Sequence, residues 1–270
     1  MLKKIIETTE FIHEKIGGKP DIGIVLGTGL GGLVNEMEIT DELSYDEIPN
    51  FPVSTVESHS GKLLFGHLAG KKVVAMQGRF HYYEGYNMKE VTFPIRVMKL
   101  LGIQQLYISN AAGGLSPDFK QGDLMVLNDH IDLFPDNPLR GKNLDELGER
   151  WSDMYQQYDP GLRATAFEIA KEQGIDLKEG IYCGVSGPNL ETAAEYKYLR
   201  IIGGDAVGMS TVPEVIVARH MNIPVFAVSI ITDMCTPETL KAVNVPEIIE
   251  TAMKSEPIMT KLIKELIARN

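Results

Sequence analysis

Short apolar runs alternate along the chain with stretches of helical periodicity. The apolar runs predict strands at 22–26, 62–65, 72–76, 105–109, 123–127, 180–185, 205–207 and 225–231. Several lack strict apolar/polar alternation, as strands covered on both faces do. Helix punctuation lies between them. Asp159-Pro160 and Thr236-Pro237 each read as an N-cap followed by proline at the first helical position. Residues 91–101 form a helical pattern with Pro94 in its first turns, and residues 211–221 another with Pro213 near its start. Gly102 and Gly174 follow helical patterns and read as C-terminal stops. A last helical region begins at Pro246 and is expected to break at Pro257. Strands alternating with helices predict an α/β fold around a central, largely buried sheet. No linker, repeat or low-complexity tract divides residues 1–270, so one domain is expected.

Glycine and polar residues gather just after the predicted strands. The segments are Gly27-Thr28-Gly29-Leu30-Gly31-Gly32, Gln77-Gly78-Arg79-Phe80-His81-Tyr82-Tyr83-Glu84-Gly85, Asn110-Ala111-Ala112-Gly113-Gly114, Ser186-Gly187-Pro188-Asn189-Leu190-Glu191-Thr192, Gly208-Met209-Ser210-Thr211 and Thr232-Asp233. The carboxyl ends of strands are where open α/β sheets bind ligands, so this clustering predicts the active site.

Charge narrows the ligand class. A formal net charge of -11 argues against nonspecific nucleic-acid binding, which needs clustered Lys and Arg. It leaves room for a small anion in a locally positive pocket. The only two cysteines, Cys183 and Cys235, are far apart and lack metal-type spacing, which fits a reducing compartment. The first 17 residues hold no uninterrupted apolar stretch, so no signal peptide is expected, and no segment reads as membrane-spanning. A cytoplasmic location is the expectation. No His/Cys/Asp/Glu cluster has metal spacing, and no metal is expected.

The loop 27–32 offers backbone N–H groups and the Thr28 hydroxyl to an anion. Its spacing also fits G-x-G-x-x-G, but a dinucleotide site wants a second apolar strand ending in an acid. Residues 36–50 are polar, end in proline and asparagine, and show no such strand. Arg79 and His81, two apart after a strand, point to the same side. Arginine can fork onto phosphate, histidine can donate to it, and Glu84 can orient either one. An exposed Arg–Glu pair beside a packed histidine is the competing reading. His59 reads equally as a ligand or a solvated loop histidine, and the remaining histidines read as structural.

The strings 27–33, 77–85, 110–114, 187–195 and above all 207–220 (VGMSTVPEVIVARH) resemble the trimeric, low-molecular-mass purine nucleoside phosphorylases. The likeness runs from about Asp21 to the C-terminal helix. It implies a single-domain α/β fold with a mixed, distorted sheet, and a homotrimer with active sites near subunit interfaces. It also implies phosphorolysis of purine nucleosides, with inorganic phosphate as co-substrate and no cofactor. By motif, the resemblance makes Thr28, His59, Arg79, His81, Ala111 and Ser210 phosphate contacts. Tyr83 and Met209 become ribose contacts, and Trp151 a ribose cover reaching in from a neighbouring subunit. Ala112, Gly113, Leu190, Glu191, Val207, Thr232 and Asp233 become the purine pocket. His81, Glu191 and Asp233 are expected to carry the chemistry. Without the resemblance, Met209 and Val207 read as core, Glu191 as a helix-end acid, and Trp151 equally as a buried side chain of its own subunit.

Three positions depart from the family pattern. Leu190 stands where many relatives have Phe, Asp233 where many have Asn, and Val245 where some have His. Asp233 and Val245 suit 5′-methylthioadenosine phosphorylase, a sister enzyme of the same fold. Glu191 and Asn110-Ala111-Ala112 follow the purine nucleoside pattern and predict inosine and guanosine ahead of adenosine. A nucleoside-binding protein without turnover is the reading from a different class.

Overall fold

The computed structural model describes residues 1–27, 31–53, 61–236, 239–240 and 244–270. Nine strands among them are β1 Ile22–Leu26, β2 Glu38–Ser44, β3 Lys62–Leu68, β4 Lys71–Gln77, β5 Gln105–Gly114, β6 Leu124–Asp132, β7 Leu177–Gly184, β8 Ala206–Gly208 and β9 Val225–Met234. The helices are α1 Leu2–His13, α2 Met88–Val91, α3 Phe93–Leu101, α4 Pro160–Gln173, α5 Ala193–Ile201, α6 Val212–His220 and α7 Val245–Arg269. One mixed sheet runs β2-β3-β4-β1-β5-β8-β7-β6-β9, and β9 also pairs in parallel with β5. The last five strands in that order therefore close on themselves, which is the distortion expected of the sheet.

The sheet is covered on both faces, and that explains the unbroken apolar runs. Every residue of β1 is buried. One core layer joins the sheet to α1, α3 and α6 through Ile5, Ile12, Val97, Met98 and Val215. The other joins it to α4 and α7 through Ile169, Leu262, Ile263 and Leu266. β3 and β4 form a hairpin whose two turn residues, Ala69 and Gly70, have φ of 52° and 80°. That double positive φ is the two-residue turn that matches strand twist.

Asp159 caps α4 through a 2.9 Å bond from the Leu162 N–H, with Pro160 opening the helix. Gly102 and Gly174 end α3 and α4 with positive φ. Thr236-Pro237 lies partly outside the described residues. The helical pattern at 91–101 resolves into two helices, because Thr92 leaves the helical region just ahead of Pro94.

Four expectations change. A strand, β2, does lie within residues 36–50; its side chains are mostly exposed, so no apolar alternation marks it. It is an antiparallel edge strand beside β3, and the parallel neighbours of β1 are β4 and β5. The glycine loop after β1 thus lacks the β2 neighbour that a dinucleotide unit needs. Second, α7 continues through Pro257. Buried Ala252 and Ser255 before the proline and Met259, Leu262 and Ile263 after it bind both halves to the sheet. Packing of that extent outweighs the roughly 3 kcal/mol a helix-interior proline costs. Third and fourth, the segments 110–114 and 232–233 do not follow β5 and β9 but extend them, paired in parallel with a register shift at Ala112/Gly113.

Candidate active site

The ends of β4, β5, β8 and β9, with the segment before α5, converge on one cleft. Its first end is built around Arg79, which is only 1% exposed. The guanidinium is held from three sides. Nε donates to Glu214 Oε1 at 3.1 Å, and Nη1 donates to the Ser109 carbonyl at 2.9 Å and to Ser210 Oγ at 3.2 Å. Glu214 is itself buried in α6. Two buried charges in contact offset each other's desolvation, and removing either strands the other. Gly27 sits against this group: a Cβ there would lie 2.9 Å from the Ser109 carbonyl and 3.4 Å from Arg79 Nη1. Only glycine lets β1 end so close to the arginine.

Ser210 owes its position to a strained turn. Thr211 has φ 70° and ψ -53°, and the Val212 N–H donates to the Ser210 carbonyl at 2.7 Å. This is a γ-turn, rare for any residue and costlier for a β-branched one. Asn110 holds it, donating Nδ2 to Thr211 Oγ1 at 2.9 Å while its Oδ1 accepts from Ser229 at 2.7 Å. The Ser210 and Thr211 hydroxyls are 3.1 Å apart.

His81 is oriented by Glu84, whose Oε1 lies 3.0 Å from Nδ1 and also accepts from the His81 backbone N–H at 2.7 Å. Tyr83 stacks on the imidazole, with centroids 4.7 Å apart and planes 15° apart. Burial, with the Glu84 charge second, pushes the Tyr83 phenol up to about 12, so its hydroxyl stays protonated. Glu84 therefore serves His81, and Glu214 serves Arg79; the exposed Arg–Glu pair does not form.

The other end of the cleft carries two carboxylates. Burial pushes Glu191 above its ordinary value, opposed by bonds from its own N–H and the Tyr196 hydroxyl and reinforced by Glu195 and Asp233. Asp233 accepts from Thr232 Oγ1 at 2.9 Å and from Cys235 Sγ at 3.3 Å, one donor on each oxygen. Burial and the neighbouring Asp233 push the Cys235 thiol well up, which keeps it a donor. Thr232 Oγ1 also reaches the Ala112 carbonyl at 3.3 Å.

Arg79, His81, Ala111 and Ser210 therefore line the same cleft as Tyr83 and Met209 and as Ala112, Gly113, Leu190, Glu191, Val207, Thr232 and Asp233. Thr28 and His59 lie outside the described residues. Trp151 does not line this chain's cleft and is 84% exposed, which rules out a Trp buried in its own subunit. Val245 opens α7 and is exposed; Ile248, one turn on, reaches the cleft instead. Glu214, Asn110, Tyr196 and Cys235 were assigned no role in the site from the sequence. Glu214 had one signal, as the lone carboxylate in an otherwise apolar first half of its helix. Both cysteines are buried free thiols. Among the described residues no cluster of three His, Cys, Asp or Glu fits a metal, and no helix is long and apolar enough to cross a membrane.

The model of the Phosphorylase superfamily matches residues 21–268. Purine nucleoside phosphorylase 1 of Geobacillus stearothermophilus is 47% identical over 263 residues, covering 97% of this chain and 96% of its own. Its namesake in Bacillus subtilis is 46% identical over 269 residues, covering 100% and 99%. A crystal structure of Schistosoma mansoni purine nucleoside phosphorylase with adenosine superposes with a TM-score of 0.93 at 41% identity, over 98% of this chain and 96% of that one. A Schistosoma purine nucleoside phosphorylase with hypoxanthine gives 0.92 at 42% identity, over 98% and 96%.

Proposed function

The chain belongs to the phosphorylase superfamily, among its purine nucleoside phosphorylases, and we propose that it cleaves inosine and guanosine in preference to adenosine. The observation that carries this reading is a single cleft with Arg79, His81 and Ser210 at one end and two carboxylates at the other. Phosphate held at the first end attacks C1′ of the ribose. The C1′–N9 bond breaks and its electron pair leaves with the purine; the proton that the attacking hydrogen phosphate gives up ends on the base, giving ribose 1-phosphate and free purine. Positive charge grows on the sugar and negative charge on the base, so the site's work is to place phosphate and to stabilise the departing ring. The reaction needs no redox change and no covalent bond to the enzyme. Inorganic phosphate is a co-substrate, not a cofactor.

Arg79 suits the anion because Glu214, Ser109 and Ser210 fix its fork before phosphate arrives. Thr28, His59 and Ala111 complete the phosphate side in this reading, and Tyr83 and Met209 hold the sugar. An ionised Glu191 accepts the N1–H of a 6-oxopurine and turns its lone pairs toward the bare N1 of adenine. Two free buried thiols suit a reducing cytoplasm. A homotrimer is part of the same reading.

A second reading, phosphorolysis of 5′-methylthioadenosine, draws on the Asp233 geometry. Thr232 and Cys235 each donate to this carboxylate, which leaves it lone pairs for a 6-amino group. One assay separates the readings. Inosine, guanosine, adenosine and 5′-methylthioadenosine are incubated with and without phosphate, and released base is measured. Phosphate-dependent release, fastest from inosine or guanosine, is expected. Fastest release from 5′-methylthioadenosine would install the second reading, and binding without turnover would mark a nucleoside-binding module.

A further inference from the structure

A second buried arginine has no counter-ion among the described residues. Arg96 lies in α3 and is 4% exposed, close to the burial of Arg79. Arg79 has Glu214, yet no carboxylate among the described residues pairs with Arg96, and its Nη1 is buried without a hydrogen-bond partner. Burial lowers the Arg96 pKa to about 10, which still leaves it charged at neutral pH. His220, at the end of α6, is 2% exposed, and its ring Nε2 lies 3.1 Å from Asn143 Oδ1. Burial, then the Arg96 charge, lower the His220 pKa against a bond to the Gly148 backbone. Lys89, Arg140 and Lys142 stand around the same small cavity of about 40 Å³, and no acidic residue lines it. Of these, Arg140 meets Asp136 at 3.2 Å near the surface.

We infer that this cavity, bounded by α2, α3, the end of α6 and residues 138–144, is a binding site for a small oxyanion separate from the catalytic cleft. A buried cation without a partner is a large unpaid desolvation cost, and an anion against Arg96 offsets it. Arginine and lysine together favour an oxyanion with several acceptor oxygens. The cavity, about 40 Å³, has room for a small ion. Inorganic phosphate, which the proposed reaction already requires, is the occupant that fits.

The test counts phosphate on the full-length protein by equilibrium dialysis with radiolabelled inorganic phosphate. Two per chain are expected for the unmodified protein, and one for each of Arg79→Ala and Arg96→Gln. The site lost in Arg96→Gln should weaken by about 10- to 100-fold, the value of a charge-assisted contact, with kcat and the phosphate KM unchanged. Arg96→Lys should retain part of the binding. Should Arg96→Gln fail to fold, the counts for the unmodified protein and Arg79→Ala decide the matter. One phosphate in the unmodified protein and none in Arg79→Ala would overturn the inference. So would one phosphate in the unmodified protein with Arg96→Gln dissociating the assembly in sedimentation, which would make the counter-ion a carboxylate of a second copy. Two phosphates persisting in Arg79→Ala, with one lost in Arg96→Gln, would count against the role of Arg79 and leave this site standing.

Discussion

At the scale of single residues, two carboxylates in one cleft ask for opposite partners. Glu191 wants the N1–H of a 6-oxopurine. Asp233, with a donor already on each oxygen, wants an N7 proton or a 6-amino group. Protonation decides how strongly Glu191 votes. Burial and the nearby Asp233 raise its pKa, so as pH falls it takes up a proton earlier than an ordinary carboxyl near 4.3. The protonated form no longer accepts N1–H with full charge. The inosine kcat/KM should therefore fall on the acid side from a pH above the usual carboxylate range, approaching about tenfold per pH unit well below the pKa. Glu191→Gln does not titrate and should lose that limb, along with much of the preference for inosine. A pH–rate profile with an unshifted limb, or one unchanged in Glu191→Gln, would refute the assignment. The sign for stability runs the other way. A carboxyl whose folded pKa is raised binds more protons folded than unfolded, so it costs stability as pH rises past its unfolded value. Glu191→Gln should then melt slightly higher at neutral pH, as expected where a site is kept for function.

At the scale of elements, the site depends on a backbone held where it would not go unaided. The γ-turn at Thr211 joins β8 to α6 and sets Ser210 beside Arg79. Asn110 is its clamp, reaching from β5 to Thr211 and accepting from Ser229 of β9. Asn110→Ala should leave the buried Ser229 hydroxyl without its partner, at about 1–3 kcal/mol, and Thr211 Oγ1 with Ser210 Oγ alone. The variant should melt lower and lose kcat/KM at least tenfold, mostly through the phosphate KM. Thr211→Gly relieves the positive φ and should lose less stability than activity. Equal melting temperatures and rates for the unmodified protein and Asn110→Ala would show that the turn needs no clamp. This dependence also explains what the pattern of residues hid. Covered strands such as β1 announce themselves by composition, and caps such as Asp159 by local chemistry. β2 does not, because an exposed edge strand is polar, and the ends of β5 and β9 do not, because pairing there is decided by distant strands. The unbroken course of α7 past Pro257 likewise depends on packing that no local rule contains.

At the scale of the whole molecule, the cleft was legible as a set of positions but not as a set of partnerships. Arg79 and Glu214 are 135 residues apart, and Asn110 and Ser229 are 119 apart. Asn110 and Ser229 meet as register partners of β5 and β9, and Arg79 after β4 meets Glu214 in α6, so each pair exists only in the folded chain. The largest unspent feature at this scale is Trp151. It is 84% exposed, with the Arg150 guanidinium 5.3 Å from its ring, and Tyr155 nearby in sequence is also exposed. Arg150 is in turn fixed by the Leu139 and Gly141 carbonyls, at 3.1 and 3.0 Å, so the ring is carried on a braced segment. A tryptophan left in water forfeits a large apolar area that a partner surface would cover. The trimer reading gives it that surface, the sugar side of a neighbouring cleft, where it would exclude water from the oxocarbenium-like centre. Nucleoside should then change the fluorescence of this sole tryptophan in the assembled protein, and phosphate alone should change it little. Trp151→Ala should raise the nucleoside KM roughly tenfold, the order of one well-covered aromatic contact, and leave the phosphate KM near its original value. Sedimentation of the unmodified protein should give the mass of three chains. A monomer with full activity would remove the neighbour the argument needs, and an unchanged nucleoside KM would place Trp151 in some other contact.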